Sequence, residues 1–159
     1  MRVGVVSDTH SKKIPQQLIT DFLDVDLIIH AGDFCDIPTL KLLRKLAPIK
    51  AVQGNMDEWE IKKELPLKEI IVCGNVKIGV THGHIGDTRE ALKNAMSSFK
   101  NDKMDVVIFG HAHRAQSLQL GETLYFSPGS PNDVARANFL SYGLISIEAG
   151  KIKTEIIKI

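Results

Sequence analysis

The chain has 159 residues, 43% of them hydrophobic and 25% charged, with a formal net charge of +1 at pH 7. That composition excludes long disordered tracts, and the balanced charge, with no block of like sign, does not indicate nucleic acid or a membrane surface as a partner. A chain of this length is expected to form a single domain over residues 1–159, large enough to bury a core without disulfides or a structural metal.

The first apolar run, Arg2 to Ser7, reads as a strand and meets Asp8 too soon for a signal peptide, so a cytoplasmic protein is expected. Ile14, Leu18, Ile19, Phe22 and Leu23 then fall on one helical face. Asp26 to His30 reads as a second strand, Leu40, Leu43, Leu46 and Ala47 mark a second helix, and Ile49 to Val52 a third strand. Ile70 to Cys73 and Val76 to Thr81 flank a Gly74-Asn75 turn, as in a hairpin. Asp87 and Glu90 are spaced as a capping box for a helix burying Ala91, Leu92, Ala95, Met96 and Phe99. Val106 to Phe109 is another apolar strand. Two more hairpins follow, Gln116 to Leu120 with Thr123 to Phe126, and Ser141 to Ile147 with Ile152 to Ile157. Strands apolar on both faces cannot face water. The pattern therefore predicts an α/β fold, a four-layer α-β-β-α sandwich of two mixed sheets flanked by helices. No apolar run approaches the ~18–20 residues of a membrane span. Cys35 and Cys73 lack the spacing of a redox pair or zinc knuckle.

The polar residues are concentrated where these strands end. Of six histidines, five lie in three short segments: Asp8-Thr9-His10, His82-Gly83-His84 and His111-Ala112-His113. Two further strands run into Gly32-Asp33 and Gly54-Asn55-Met56-Asp57. The carboxyl ends of strands are where open α/β sheets bind ligands. On an extended segment residues i and i+2 point the same way, so Asp8 with His10, and His111 with His113, are each placed to pinch one ion. Imidazole, carboxylate and an Asn carbonyl without thiolate suit divalent Mn, Fe, Ni, Co or Zn at a reactive site better than a structural zinc. Two such pairs around a lone Asp33 invite a two-metal site, which clamps a phosphoryl group and generates hydroxide near neutral pH. Alone, each segment has a plainer reading, as a turn or a cap; together, at successive strand ends, they point to metal.

The order Asp8-x-His10, Gly32-Asp33, Gly54-Asn55, His82, Gly110-His111-x-His113 resembles the calcineurin-like metallophosphoesterase superfamily. Within it the chain is most similar to the short single-domain bacterial and archaeal phosphodiesterases, whose eukaryotic relative is a retromer scaffold subunit. The similarity extends to Ser127-Pro128-Gly129-Ser130, like the family's Asn-Pro-Gly-Ser turn. The resemblance implies one metal on Asp8, His10, Asp33 and His113 and a second on Asp33, Asn55, His82 and His111. Asp33 bridges, and a hydroxide between the ions attacks phosphorus in line. It implies two divalent cofactors, manganese first, with Ni, Fe, Zn, Co or Mg as the other candidates, and a small phosphoester substrate. It leaves His84 to contact the substrate phosphate, donating a proton or a hydrogen bond. Many members carry a His directly after Gly-Asn; Met56 stands there and has no proton to give. The alternative is a non-catalytic interaction scaffold of the retromer type. That branch has Asn where this chain keeps His10, which favours catalysis. A two-metal amidohydrolase needs a longer (β/α)₈ barrel. A homo-oligomer stays open.

The remaining polar residues have plainer expectations. His30 reads as a satisfied buried histidine, Cys35 as a small packing residue with attraction of a soft metal as the alternative, and Asp57 as a residue that orients a ligand rather than one that binds metal. Lys41, Arg44, Lys45, Lys50, Lys62 and Lys63 read as a solvated face. Trp59 is placed on a rim, as a partner patch or a substrate wall, and Arg136, in the loop from Pro131 to Asn138, within reach of a substrate phosphate.

Overall fold

The computed structural model describes residues 1–86 and 90–159. In chain order its elements are β1 (Arg2–Val6), α1 (Gln16–Phe22), β2 (Leu27–His30), α2 (Ile37–Arg44), β3 (Ile49–Ala51), α3 (Trp59–Glu64) and β4 (Lys68–Cys73). There follow β5 (Val76–Thr81), α4 (Ala91–Ser98), β6 (Val106–Phe109), β7 (Ala115–Leu120), β8 (Thr123–Pro128), β9 (Ser141–Glu148) and β10 (Lys151–Lys158). They build two five-stranded sheets, in the orders β10-β9-β1-β2-β3 and β4-β5-β6-β8-β7. Both are mixed. β1, β2 and β3 run parallel, with β9 antiparallel to β1; β5, β6 and β8 run parallel, with β4 and β7 antiparallel at the edges.

Each central strand divides its side chains between two cores, which is why its sequence is apolar throughout. Val3, Val5 and Ile29 of the first sheet pack between the sheets against Ile78, Val80, Val106 and Ile108 of the second. Val6 and Ile28 point the other way, to Leu18 and Phe22 of α1, Leu40 and Leu43 of α2 and Ile61 of α3. Val107 and Phe109 do the same on the far side, toward Ala91, Ala95 and Phe99. The four-layer arrangement expected from the sequence is therefore present, and each such fully buried side chain contributes roughly 1.5–3 kcal/mol. No helix among the described residues is long and apolar enough to cross a membrane.

Several local expectations are corrected. Leu23, placed on the buried face of the first helix, is 60% exposed. α1 ends at Phe22 and packs through Leu18 and Phe22, which leaves the capping residue outside. Met96, also expected inside, is 38% exposed, because α4 packs through Ala91 and Ala95 and Met96 lies a step further round. α3 has one buried apolar residue, Ile61, in its six residues, too few to show a period. The capping box fell on Asp87, which lies outside the described residues; Glu90 is the N-cap of α4. The cations of the expected solvated face are partly paired: Arg44 binds the Glu64 carboxylate, and Lys50 Nζ lies 2.7 Å from Glu69 Oε1.

Candidate metal centre

Parallel strands in two adjacent sheets bring the polar segments to one end of the sandwich. Backbone bonds lock the loop after β1 onto the loop after β2: the N–H groups of Asp8, His10 and Ser11 donate to the carbonyls of Gly32, Asp33 and Phe34 at 3.0, 3.1 and 2.8 Å. The second sheet joins them. His111 N–H donates to Asp8 Oδ2 at 3.1 Å, and His82 Nδ1–H to the Ala31 carbonyl at 2.7 Å. Close approach requires glycine at two points. A Cβ on Gly54 would lie 2.0 Å from Asp33 Oδ1, and one on Gly110 would lie 1.9 Å from Ser7 Oγ.

The expectation of extended Asp-x-His and His-x-His pairs is not met. Asp8, His10, Asp33, His111 and His113 have φ of 58°, 49°, 61°, 68° and 56°, in the left-handed region. For L-residues this conformation costs roughly 1–2 kcal/mol each, and such strain gathers at functional sites. The pairs converge because the chain curls after each strand, with the backbone ladder between loops offsetting the strain.

The donor atoms meet around Asp8 and Asp33. Ligand atoms of Asp8, His10, Asp33 and His113 all lie within 4.8 Å of one another. Asp8 Oδ1 has His113 Nε2 at 3.2 Å and the Nε2 atoms of His10 and His82 at 3.9 Å. Asp33 Oδ2 has His82 Nε2 at 3.3 Å and His10 Nε2 at 3.9 Å, so this one oxygen faces both histidines. The Nε2 atoms of His10 and His113 are 3.2 Å apart. Asp8 Oδ1 and His82 Nε2 are buried without a well-formed hydrogen bond to protein, a condition that native structures avoid unless another group completes it. Buried nitrogen and oxygen donors that converge without well-formed hydrogen bonds fit a divalent cation.

Electrostatics agree with that donor set. Burial alone would raise the Asp33 pKa, but the hydrogen bond and charge of His82 and the Met56 N–H, which donates to Asp33 Oδ1 at 2.8 Å, hold it at about 2. Burial would lower His82, but Asp33 and Asp8 raise it to about 9. His84 is half-buried, with its ring 5.2 Å from that of His82; burial and the charges of His82 and His111 lower it to about 4. A ring with that pKa is neutral at pH 7 and donates a hydrogen bond rather than a surplus proton. The His111 ring stands edge-on to His82 at 5.2 Å. Asn55 is exposed, and its backbone carbonyl accepts from Lys62 Nζ at 2.9 Å.

The imidazoles are oriented from behind. His82 Nδ1 is tied to Ala31, His10 Nδ1 lies 3.2 Å from Cys35 Sγ, and His113 Nδ1 lies 2.7 Å from Asp133 Oδ2. Sequence reasoning missed Asp133 altogether, and Cys35 does more than pack. Asp57 accepts from the N–H groups of Gly54, Cys35 and Asp33 at 2.6, 2.7 and 3.2 Å, joining two loops of the site. His30 is fully buried and satisfied by Thr9 and Gly32. Met56 and Trp59 are exposed, and Lys63 Nζ lies 5.1 Å from the Trp59 ring centroid. Arg136 Nε lies 3.9 Å from Asp133 Oδ2.

With this fold and this cluster of donors, comparison with known proteins gives one consistent class. The chain belongs to the calcineurin-like phosphoesterase superfamily, whose domain model matches residues 1–150. It is 37% identical over 163 residues to a "probable metallophosphoesterase" of Methanocaldococcus jannaschii, covering 100% of this chain and 82% of that protein. A second protein of that organism, named a phosphodiesterase, is 31% identical over 145 residues, covering 81% of this chain and 83% of its own length. Among solved structures, wild-type Vps29 of Entamoeba histolytica complexed with zinc superposes with a TM-score of 0.75 at 28% identity, over 99% of both chains.

Proposed function

We propose that this protein is a phosphodiesterase working with two divalent ions, manganese first among them. The observation that carries the reading is the convergence of the Asp8, His10, Asp33 and His113 donor atoms, all within 4.8 Å of one another, with Asp8 Oδ1 and His82 Nε2 buried and lacking a well-formed hydrogen bond. In this reading Asp8, His10, Asp33 and His113 hold one ion, and Asp33, Asn55, His82 and His111 the other. Asp33 Oδ2 is suited to serve both, since it faces His10 and His82 at once. When bound, such ions neutralise charge on a phosphoryl group and bring the pKa of water toward neutrality. His84, neutral and beside His82, donates a hydrogen bond to a phosphoryl oxygen. With Met56 in place of a proton donor, leaving oxygens that need no proton, such as aryl oxides, are favoured. The family's phosphodiesterase relative supports the choice of diesters. The zinc-bound Vps29 neighbour keeps an interaction scaffold as the second reading.

The experiment is hydrolysis of paired aryl mono- and diesters by protein stripped with a chelator and then refilled with Mn, Ni or Mg. Metal-dependent turnover is expected, with the diester preferred and Asp33→Asn inactive although folded by circular dichroism. No turnover in wild type that binds metal would leave the scaffold reading; turnover unaffected by chelation would end the metal reading.

A further inference from the structure

We infer that Asp133 is a positioning residue: it holds His113 with the proton on Nδ1 and the lone pair of Nε2 turned toward Asp8, and so sets the affinity of this site for its ion. The inference rests on the metal reading above.

His113 stands between two carboxylates, with Nδ1 2.7 Å from Asp133 Oδ2 and Nε2 3.2 Å from Asp8 Oδ1. A neutral imidazole has a single N–H, so whichever carboxylate takes it decides which nitrogen is free to ligate. The 2.7 Å separation has the length of a charge-assisted bond, although the angle at Nδ1 falls short of a well-formed hydrogen bond, and the 3.2 Å separation lies beyond that range. His113 is almost fully buried, so water is a poor substitute for either partner.

Asp133 is itself fixed. Its N–H donates to Ser130 Oγ at 3.1 Å and its Oδ1 accepts from Ala135 N–H at 3.1 Å, while Oδ2 faces the ring at 2.7 Å, with the exposed Arg136 Nε farther off at 3.9 Å. Ser130 Oγ donates to the Asp8 carbonyl at 2.8 Å, and Asn132 Nδ2 to the Thr9 carbonyl at 2.9 Å. The turn carrying Asp133 is thus bolted to the loop that carries Asp8 and His10. The other two oriented rings lack such a partner: His82 has a backbone carbonyl and His10 a thiol. Asp133 is the one full negative charge behind a histidine among these contacts. A carboxylate in that place makes the imidazole a more basic ligand as well as aligning it.

The test uses zinc, which leaves spectra sharp, titrated into chelator-stripped protein against a chromophoric competitor. Wild type is expected to bind, and Asp133→Asn to lose about 10–100-fold in affinity for one ion with the other unchanged. Asp133→Ala should lose less than Asp133→Asn. The Asn amide can donate to Nδ1 and trap the ring with its proton on Nε2, whereas Ala leaves the tautomer free; a merely structural role gives no such order. Proton–nitrogen correlation spectra of the histidine rings in zinc-loaded wild type should show His113 protonated at Nδ1, a readout that survives if a variant fails to fold. Affinity of Asp133→Asn within twofold of wild type, or a His113 proton on Nε2, would overturn the inference and leave the metal reading standing. Absence of zinc binding by wild type would sink both.

Discussion

At His30 burial decides the chemistry. Gly32 N–H donates to Nδ1 at 3.2 Å, so the ring proton sits on Nε2 and goes to Thr9 Oγ1, also at 3.2 Å, while Phe34 stacks on the face with centroids 3.4 Å apart. A second proton would have to displace the Gly32 amide inside the core. Burial accordingly lowers the pKa from 6.5 to about 3. In the unfolded chain the same ring takes a proton near pH 6.5, so between pH 6.5 and about 3 the unfolded state binds more protons than the native one. Stability therefore falls as pH drops through that window, by up to ~1.4 kcal/mol per pH unit from this residue. Urea midpoints of chelated protein should fall more steeply from pH 6.5 to pH 4 in wild type than in His30→Gln, which keeps hydrogen-bonding groups without a titrating ring. Parallel curves would show that the native core admits the proton.

The elements supply strands and helices, but one side chain between elements holds the loops of the site in place. Asp57, just ahead of α3, is buried, and it accepts from backbone donors on the loop after β2 and on its own loop. Asp57→Ala strands those amides at roughly 1–3 kcal/mol apiece. Urea unfolding should show a loss of several kcal/mol, with Asp57→Asn in between because it keeps one acceptor oxygen. A loss below about 1 kcal/mol would mean that the loops hold each other through the backbone ladder alone. What the sequence made legible follows the same division. β1, β2, β5 and β6 could be read because apolar runs are local, and the nearness of Asp8, Asp33, His82 and His113 could be anticipated because each lies within four residues of the end of such a run. The left-handed curl at His10 and His113 has no local signature, since these positions are not glycine. Asp133 was invisible for a different reason. It lies beyond the whole β7–β8 hairpin from His113, and its pairing exists only once that hairpin folds back onto the loop after β1.

At the scale of the molecule the centre is a seam. Asp8, His10 and Asp33 come from the first sheet, His82, His111 and His113 from the second, and across the seam the protein offers mostly apolar packing below the site. In the proposed reading an ion held by both sets would join the sheets and bind only when they are assembled, and so would stabilise the folded state by mass action. At about a hundredfold excess over the dissociation constant one ion adds ~2.7 kcal/mol, or roughly 5–10 °C in Tm for a chain of this size. A proton opposes it. Although burial works against the charge, Asp33 and Asp8 raise the His82 pKa to about 9, and the ring must lose that proton to offer Nε2. Metal affinity should therefore rise with pH between 6 and 8. The Tm gain from saturating Mn or Zn is expected to be larger at pH 8 than at pH 6, to vanish with chelator, and to be mostly lost in Asp33→Asn, which removes the charge that both halves of the centre share. An equal gain at the two pH values would mean that no histidine proton is displaced on binding. An undiminished gain in Asp33→Asn would place the stabilising ion away from the seam.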